Sequence, residues 1–89
     1  MNFRKVELLG TTACHLCELA VDVVEQFNET MKAHNFQLNV KNLDIASSAA
    51  LVEVYGNRIP VIIDWDTKKE LDWPFDPEGL YNFLRECST

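Results

Sequence analysis

The chain is short of positive charge. Eight Lys and Arg stand against fourteen Asp and Glu, a formal net charge of −6. Such a chain repels a phosphate backbone, which excludes a general nucleic-acid binder. Long hydrophobic runs are also missing. No stretch approaches the roughly 20 apolar residues that cross a bilayer, so no membrane partner is expected. Met1-Asn2-Phe3-Arg4-Lys5 has two cations but no apolar segment behind them, so no secretory signal is expected and the expected location is cytoplasmic. Three cysteines, an odd count, do not make a disulfide-dense secreted scaffold. Repeats, low-complexity segments and linkers are absent too. With 89 residues, two independent cores are excluded. What remains is one globular domain, residues 1–89, expected to act as a monomer.

The acid is unevenly spread. Between Asp64 and Glu78 lie Asp64, Asp66, Glu70, Asp72, Asp76 and Glu78 against Lys68 and Lys69. The rest of the chain is nearly balanced. A run of this kind reads as a solvated edge and loop, or as a surface that favours basic partner proteins.

Two of the cysteines form Cys14-His15-Leu16-Cys17, a C-x-x-C. That spacing has three readings: half of a zinc site, a redox pair, or chance. Zinc needs four N or S ligands. The remaining candidates, His15, His34 and Cys87, have no paired spacing, which weighs against a closed metal site. No metal ligand is therefore assigned.

The pattern along the chain places the pair. Lys5-Val6-Glu7-Leu8-Leu9 is β-prone and ends at Gly10. From Leu16 the period becomes helical, with Leu16, Ala20, Val23, Phe27 and Met31 on one face, and the helix is expected to run to about Ala33. Phe36 to Lys41 alternates as an edge strand. Ser47 or Ser48 caps a short helix that reaches about Tyr55, ended by Gly56-Asn57. Arg58 to Trp65 holds a strand that Pro60 must begin rather than interrupt. After a turn at Asp66-Thr67, Lys68 to Trp73 completes a hairpin. Asp76 caps a last helix with Pro77 at its first position, and Leu80, Phe83 and Leu84 form its buried side. Glu86 to Thr89 reads as a frayed end. The order β-α-β-α-β-β-α predicts a four-stranded mixed sheet with helices on both faces.

In that order Cys14 falls where the first strand hands over to the first helix. The unpaired N–H groups and the positive end of the helix dipole favour thiolate there. Cys17, one turn on, is expected to be more sheltered, so Cys14 attacks and Cys17 resolves. His15, if protonated, lowers the Cys14 pKa further; otherwise it is a solvent-facing residue with little electronic effect. Glu18 reads as a first-turn acid that complements the dipole. Trp65 and Trp73 read as core or edge pieces or as an aromatic rim at the site, Tyr55 as packing, and His34 as a cation near a helix end; Cys87 reads as a spare thiol near the terminus, or as one that forms a mixed disulfide or links two chains.

From Lys5 to about Glu86 the chain resembles the thioredoxin superfamily, and its glutaredoxin-like branch in particular. The resemblance rests on Cys14-His15-Leu16-Cys17 after the first strand and Ile59-Pro60 before the third. It implies a thioredoxin-like α/β fold, a single glutaredoxin-like domain, and catalytic roles for Cys14 and Cys17. It also implies a cis Ile59-Pro60 bond, with the Ile59 backbone pairing with a bound peptide or glutathione. Arg58 is the candidate partner for an anionic ligand, or else a strand-end arginine paired with a surface acid. The chain departs from ordinary glutaredoxins. His15-Leu16 replaces Pro-Tyr, Arg58 replaces Thr before the Ile-Pro pair, and Trp73-Pro74-Phe75-Asp76 stands where a Gly-Gly is usual. Cys-His-Leu-Cys followed by Glu is similar to a small uncharacterised glutaredoxin-like family. The expected function is thiol–disulfide oxidoreduction on a disulfide-containing protein or on glutathione mixed disulfides. No cofactor is expected to bind tightly, and glutathione is a candidate co-substrate. The alternative is a redox-gated or metal- or iron–sulfur-carrying binding module without turnover.

Overall fold

The structure is a computed structural model and describes residues 2–87. Its elements follow the expected order. They are β1 (Asn2–Gly10), α1 (His15–Met31), β2 (Phe36–Asp44), α2 (Ala49–Tyr55), β3 (Val61–Asp64), β4 (Lys69–Asp72) and α3 (Pro77–Cys87). The sheet order is β2-β1-β3-β4. β1 and β2 are parallel, paired from Asn2 with Phe36 to Gly10 with Asp44. β3 lies antiparallel to β1, with Leu8 opposite Ile62, and β4 lies antiparallel to β3.

The first two strands are longer than their local pattern suggests. Lys5–Leu9 and Phe36–Lys41 are their alternating cores, but each strand supplies the other's hydrogen-bond partners over nine residues. Pairing thereby carries Asn42 and Asp44 into a ladder that their own propensities disfavour.

Alternation on the sheet divides the core in two. Val6, Leu8 and Ile62 face α1 and α3, where they meet Ala20, Val24, Phe27, Leu80, Phe83 and Leu84. Leu9, Val61 and Ile63 face the other way, toward Ile45, Tyr55 and Leu51. Because β3 is covered on both sides, all four of its residues are buried.

The buried stripe of α1 differs from the expected one. Cys17, Ala20, Val24 and Phe27 are buried, whereas Leu16 is 45% exposed and Val23 and Met31 are half-buried. Both stripes have helical spacing; packing on the sheet chose the one that begins with Cys17. The side-chain amide of Asn28 ties α1 to β2, donating to Leu38 O at 3.0 Å and accepting from Leu38 N at 2.8 Å.

The caps match their sequence signals. Ser48 Oγ accepts from Leu51 N at 3.3 Å, and Asp76 Oδ1 accepts from Gly79 N at 2.7 Å, with Pro77 opening α3. The C-terminal expectation needs correction. Glu86 and Cys87 belong to α3, and Cys87 is buried; the helix continues because its apolar side still has sheet to cover. Ser88 and Thr89 lie outside the described residues. Trp65 is neither core nor rim of the pair, since it is 40% exposed and follows Asp64 at the far end of β3. Trp73 is half-buried and packs edge-on against Phe75 at 5.1 Å.

A candidate thiol site at the end of the first strand

After Gly10 the chain turns through Thr11 and Thr12. Ala13 adopts a left-handed conformation, φ 57°, which costs a residue with a Cβ on the order of 1 kcal/mol. That turn sets Cys14 as the N-cap of α1. Its sulfur accepts the backbone N–H of Cys17 at 3.1 Å, so one of the orphan donors of the helix start points at it. Cys14 and Cys17 are joined as a disulfide, Cα–Cα 5.2 Å. Cys14 is half-exposed and Cys17 is buried. The pair is therefore asymmetric: one sulfur is offered to solvent, the other lies against the sheet.

Gly10 makes that seat. A Cβ built on it would stand 2.9 Å from Cys17 Sγ and 3.4 Å from Cys17 Cβ, closer than ordinary contact allows. In the sequence Gly10 is legible as a strand end only; its contact with the sulfur comes from the packing of α1.

The Ile59–Pro60 and Trp73–Pro74 peptide bonds are cis. One step beyond the Leu9–Val61 pair, the antiparallel register carries Pro60 to the same end of the sheet as Gly10. His15 Nδ1 lies 3.7 Å from Glu18 Oε2, both largely in solvent. Arg58 hydrogen-bonds Glu70 Oε1 at 2.6 Å and Asp72 Oδ1 at 2.7 Å, with its guanidinium 5.0 Å from the centre of the Tyr55 ring. The Tyr55 hydroxyl donates to Glu70. That bond and the Arg58 contact hold the Glu70 carboxyl below its ordinary range, against its burial. The Arg58 charge thus stands between two carboxylates of β4, the surface-acid pairing that was the second of its two readings.

A cleft of about 330 Å³ opens beside the disulfide, between the first turns of α1 and the end of β2. Thr11, Thr12, Cys14, Glu18, Asn42 and Asp44 line it. The β2 residues were not legible as neighbours of the pair, because only the parallel register that sets Gly10 beside Asp44 brings them there.

The third cysteine lies at the opposite end. Arg4 Nε donates to Asp64 Oδ2 at 3.1 Å, its Nη2 contacts the same oxygen, and Nη2 also donates to Cys87 O at 3.0 Å. Asp64 is 1% exposed, so it belongs to no solvated acidic edge. Burial alone would raise its pKa, but the bonds from Arg4 and the Asp66 N–H outweigh that and bring it below its ordinary value. Burial pushes the Cys87 thiol up, and Asp64 adds to this. Among the described residues, no group of three or more His, Cys, Asp or Glu is placed to hold a metal ion. Among the same residues, no helix is long and apolar enough to cross a membrane.

The family model described as Glutaredoxin-like domain (DUF836) matches residues 5–85. Among solved structures, the structural-genomics target protein XcR50 from X. campestris is 36% identical. That match covers 91% of this chain and 96% of the other, with a TM-score of 0.71. Thioredoxin 1 from Thermosipho africanus is similar in fold at 12% identity, over 96% of this chain and 94% of its own, with a TM-score of 0.61. No curated protein matches the chain.

Proposed function

The chain belongs to the glutaredoxin-like domain family, and from that premise we propose that it is a thiol–disulfide oxidoreductase of thioredoxin-like fold, with Cys14 as nucleophile and Cys17 as resolving thiol. The observation that carries this reading is the asymmetry of the pair. The accessible sulfur caps a helix and accepts an N–H from it, while its partner is buried one turn on.

In the reduced protein the helix start favours Cys14 as thiolate. The thiolate attacks the nearer sulfur of a substrate disulfide, that S–S bond breaks, and the departing thiolate takes a proton. The Cys17 thiol loses its proton and attacks Cys14 in the mixed disulfide, and the second substrate thiol leaves. Two protein thiols become one disulfide while one substrate disulfide becomes two thiols. A low-potential thiol, glutathione or a protein dithiol, resets the pair. The cysteines hold both electrons themselves, so no bound cofactor enters the step. The Ile59 backbone beside Pro60 is the proposed pairing edge for the substrate chain, His15 the proposed modulator of Cys14. We place the activity in the reducing cytoplasm.

The test is reduction of a peptide mixed disulfide by wild type, Cys14→Ser and Cys17→Ser. Cys14→Ser is expected to lose at least about 100-fold in rate, and Cys17→Ser to accumulate a covalent mixed disulfide visible by mass. Equal rates for wild type and Cys14→Ser would sink the oxidoreductase reading and leave a binding module.

A further inference from the structure

The cleft at the disulfide does not end there. A second cavity of about 350 Å³ continues along α1 and β2 and shares Leu8, Val21 and Asn42 with the first. The two form one groove between the helix and the edge strand. Leu8 and Val21 give it an apolar floor and wall. Its charges are of one sign: Glu18 and Asp44 at the disulfide end, Glu25 further along, with no Lys or Arg among the described lining residues. Glu18 and Glu25 stand two helical turns apart, about 10 Å at 1.5 Å per residue. An extended peptide covers that span in about three residues.

Resting on the oxidoreductase reading, we propose that this groove selects the substrate, seating an extended polypeptide segment whose reacting cysteine is flanked by Lys or Arg. The long stems of such side chains lie on Leu8 and Val21 while their cationic heads reach Glu18, Glu25 and Asp44. Glutathione, which is net anionic, meets carboxylates here, and Arg58 already stands between two others. The preferred substrate is therefore a basic protein disulfide rather than a glutathione mixed disulfide. The thiol–disulfide exchange itself is unchanged; the groove changes which disulfide reaches Cys14.

The test uses pre-reduced full-length protein in single turnover. The probes are three peptides with one cysteine linked by a disulfide to 2-mercaptoethanol, flanked on both sides by Lys, Gln or Glu. Rates are expected in the order Lys, Gln, Glu, with the extremes about tenfold apart at low salt. In about 0.5 M salt the ratio is expected to shrink to about twofold or less. The same collapse is expected in the Glu18→Gln/Glu25→Gln double variant; both residues are exposed, so the fold tolerates the exchange. Equal reduction of all three peptides, at rates still abolished by Cys14→Ser, would overturn the substrate assignment and leave the oxidoreductase intact. A charge preference that persists in the double variant would overturn the groove as its source. No reduction above Cys14→Ser would overturn both.

Discussion

The two ends of β1 each stand beside a cysteine and treat it in opposite ways. At the C-terminal end, Gly10 gives up its side chain so that the Cys17 sulfur can lie against the strand, and the next turn lifts the Cys14 sulfur to the surface. At the N-terminal end, Arg4 closes over Asp64 and the Cys87 carbonyl, and the thiol is sealed beneath α3. One end has the N–H groups of a helix start. The other has a buried carboxylate and the carbonyl end of a helix. On the proposed reading, sulfur at the first is stabilised as an anion once the pair is reduced; sulfur at the second is held as a thiol by burial and by Asp64. The lesson is that a cysteine's role here is set by which end of a helix it meets and how much water it keeps, and the element itself decides little.

The contrast breaks most strongly at Arg4. Arg4→Met leaves Asp64 buried without its guanidinium and is expected to cost about 3 kcal/mol, read from the urea midpoint at neutral pH. Native-like stability would remove the ion pair from the account. The pH sense follows from the lowered Asp64 pKa. The stability it contributes is complete above the unfolded carboxyl value, about 3.9, and is lost as pH falls through the folded value. Glu70 acts in the same direction. Asp64→Asn should therefore flatten the loss of stability expected of wild type below about pH 4.

Alkylation sharpens the same contrast. In reduced, folded protein Cys14 should react with iodoacetamide at least about 100-fold faster than Cys87, and denaturant should erase most of the difference. Comparable rates without denaturant would mean that the two ends are not the opposites described.

Gly10→Ala acts at the other end and more mildly. The added methyl crowds the Cys17 sulfur chiefly while the disulfide confines it, since the free thiol can rotate away. The oxidised form should lose about 1–2 kcal/mol relative to the reduced. The midpoint against glutathione buffers should then rise by about 20–40 mV. An unchanged potential would show that Gly10 is no seat for the sulfur.

How much of this was legible in the sequence depended on distance along the chain. Cys14 at a strand-to-helix junction, the caps at Ser48 and Asp76, and the order of elements rest on signals a few residues long. They depend on periodicity and on the hydrogen bonds of helix ends, which neighbours in sequence decide. The burial of Cys87 was hidden because a cysteine beside a chain end carries no local mark of what packs over it. The stripe of α1 was ambiguous because the helix is apolar around much of its circumference, and only contact with the sheet selects Cys17 over Leu16. The reach of β1 and β2 was hidden because charged and amide residues within them pair for their partner's sake.

By itself, the sequence determined the succession of strands and helices and the place of the C-x-x-C at a helix start. Those are short-range properties of backbone and side chain. Tertiary structure alone decided that Arg4 meets Asp64, 60 residues away, that Arg58 stands between Glu70 and Asp72, and that Gly10 makes room for Cys17. Each of these needs strands and helices from distant parts of the chain to be stacked first, because a charge finds its partner, and a sulfur its shelter, only where packing has already removed the water.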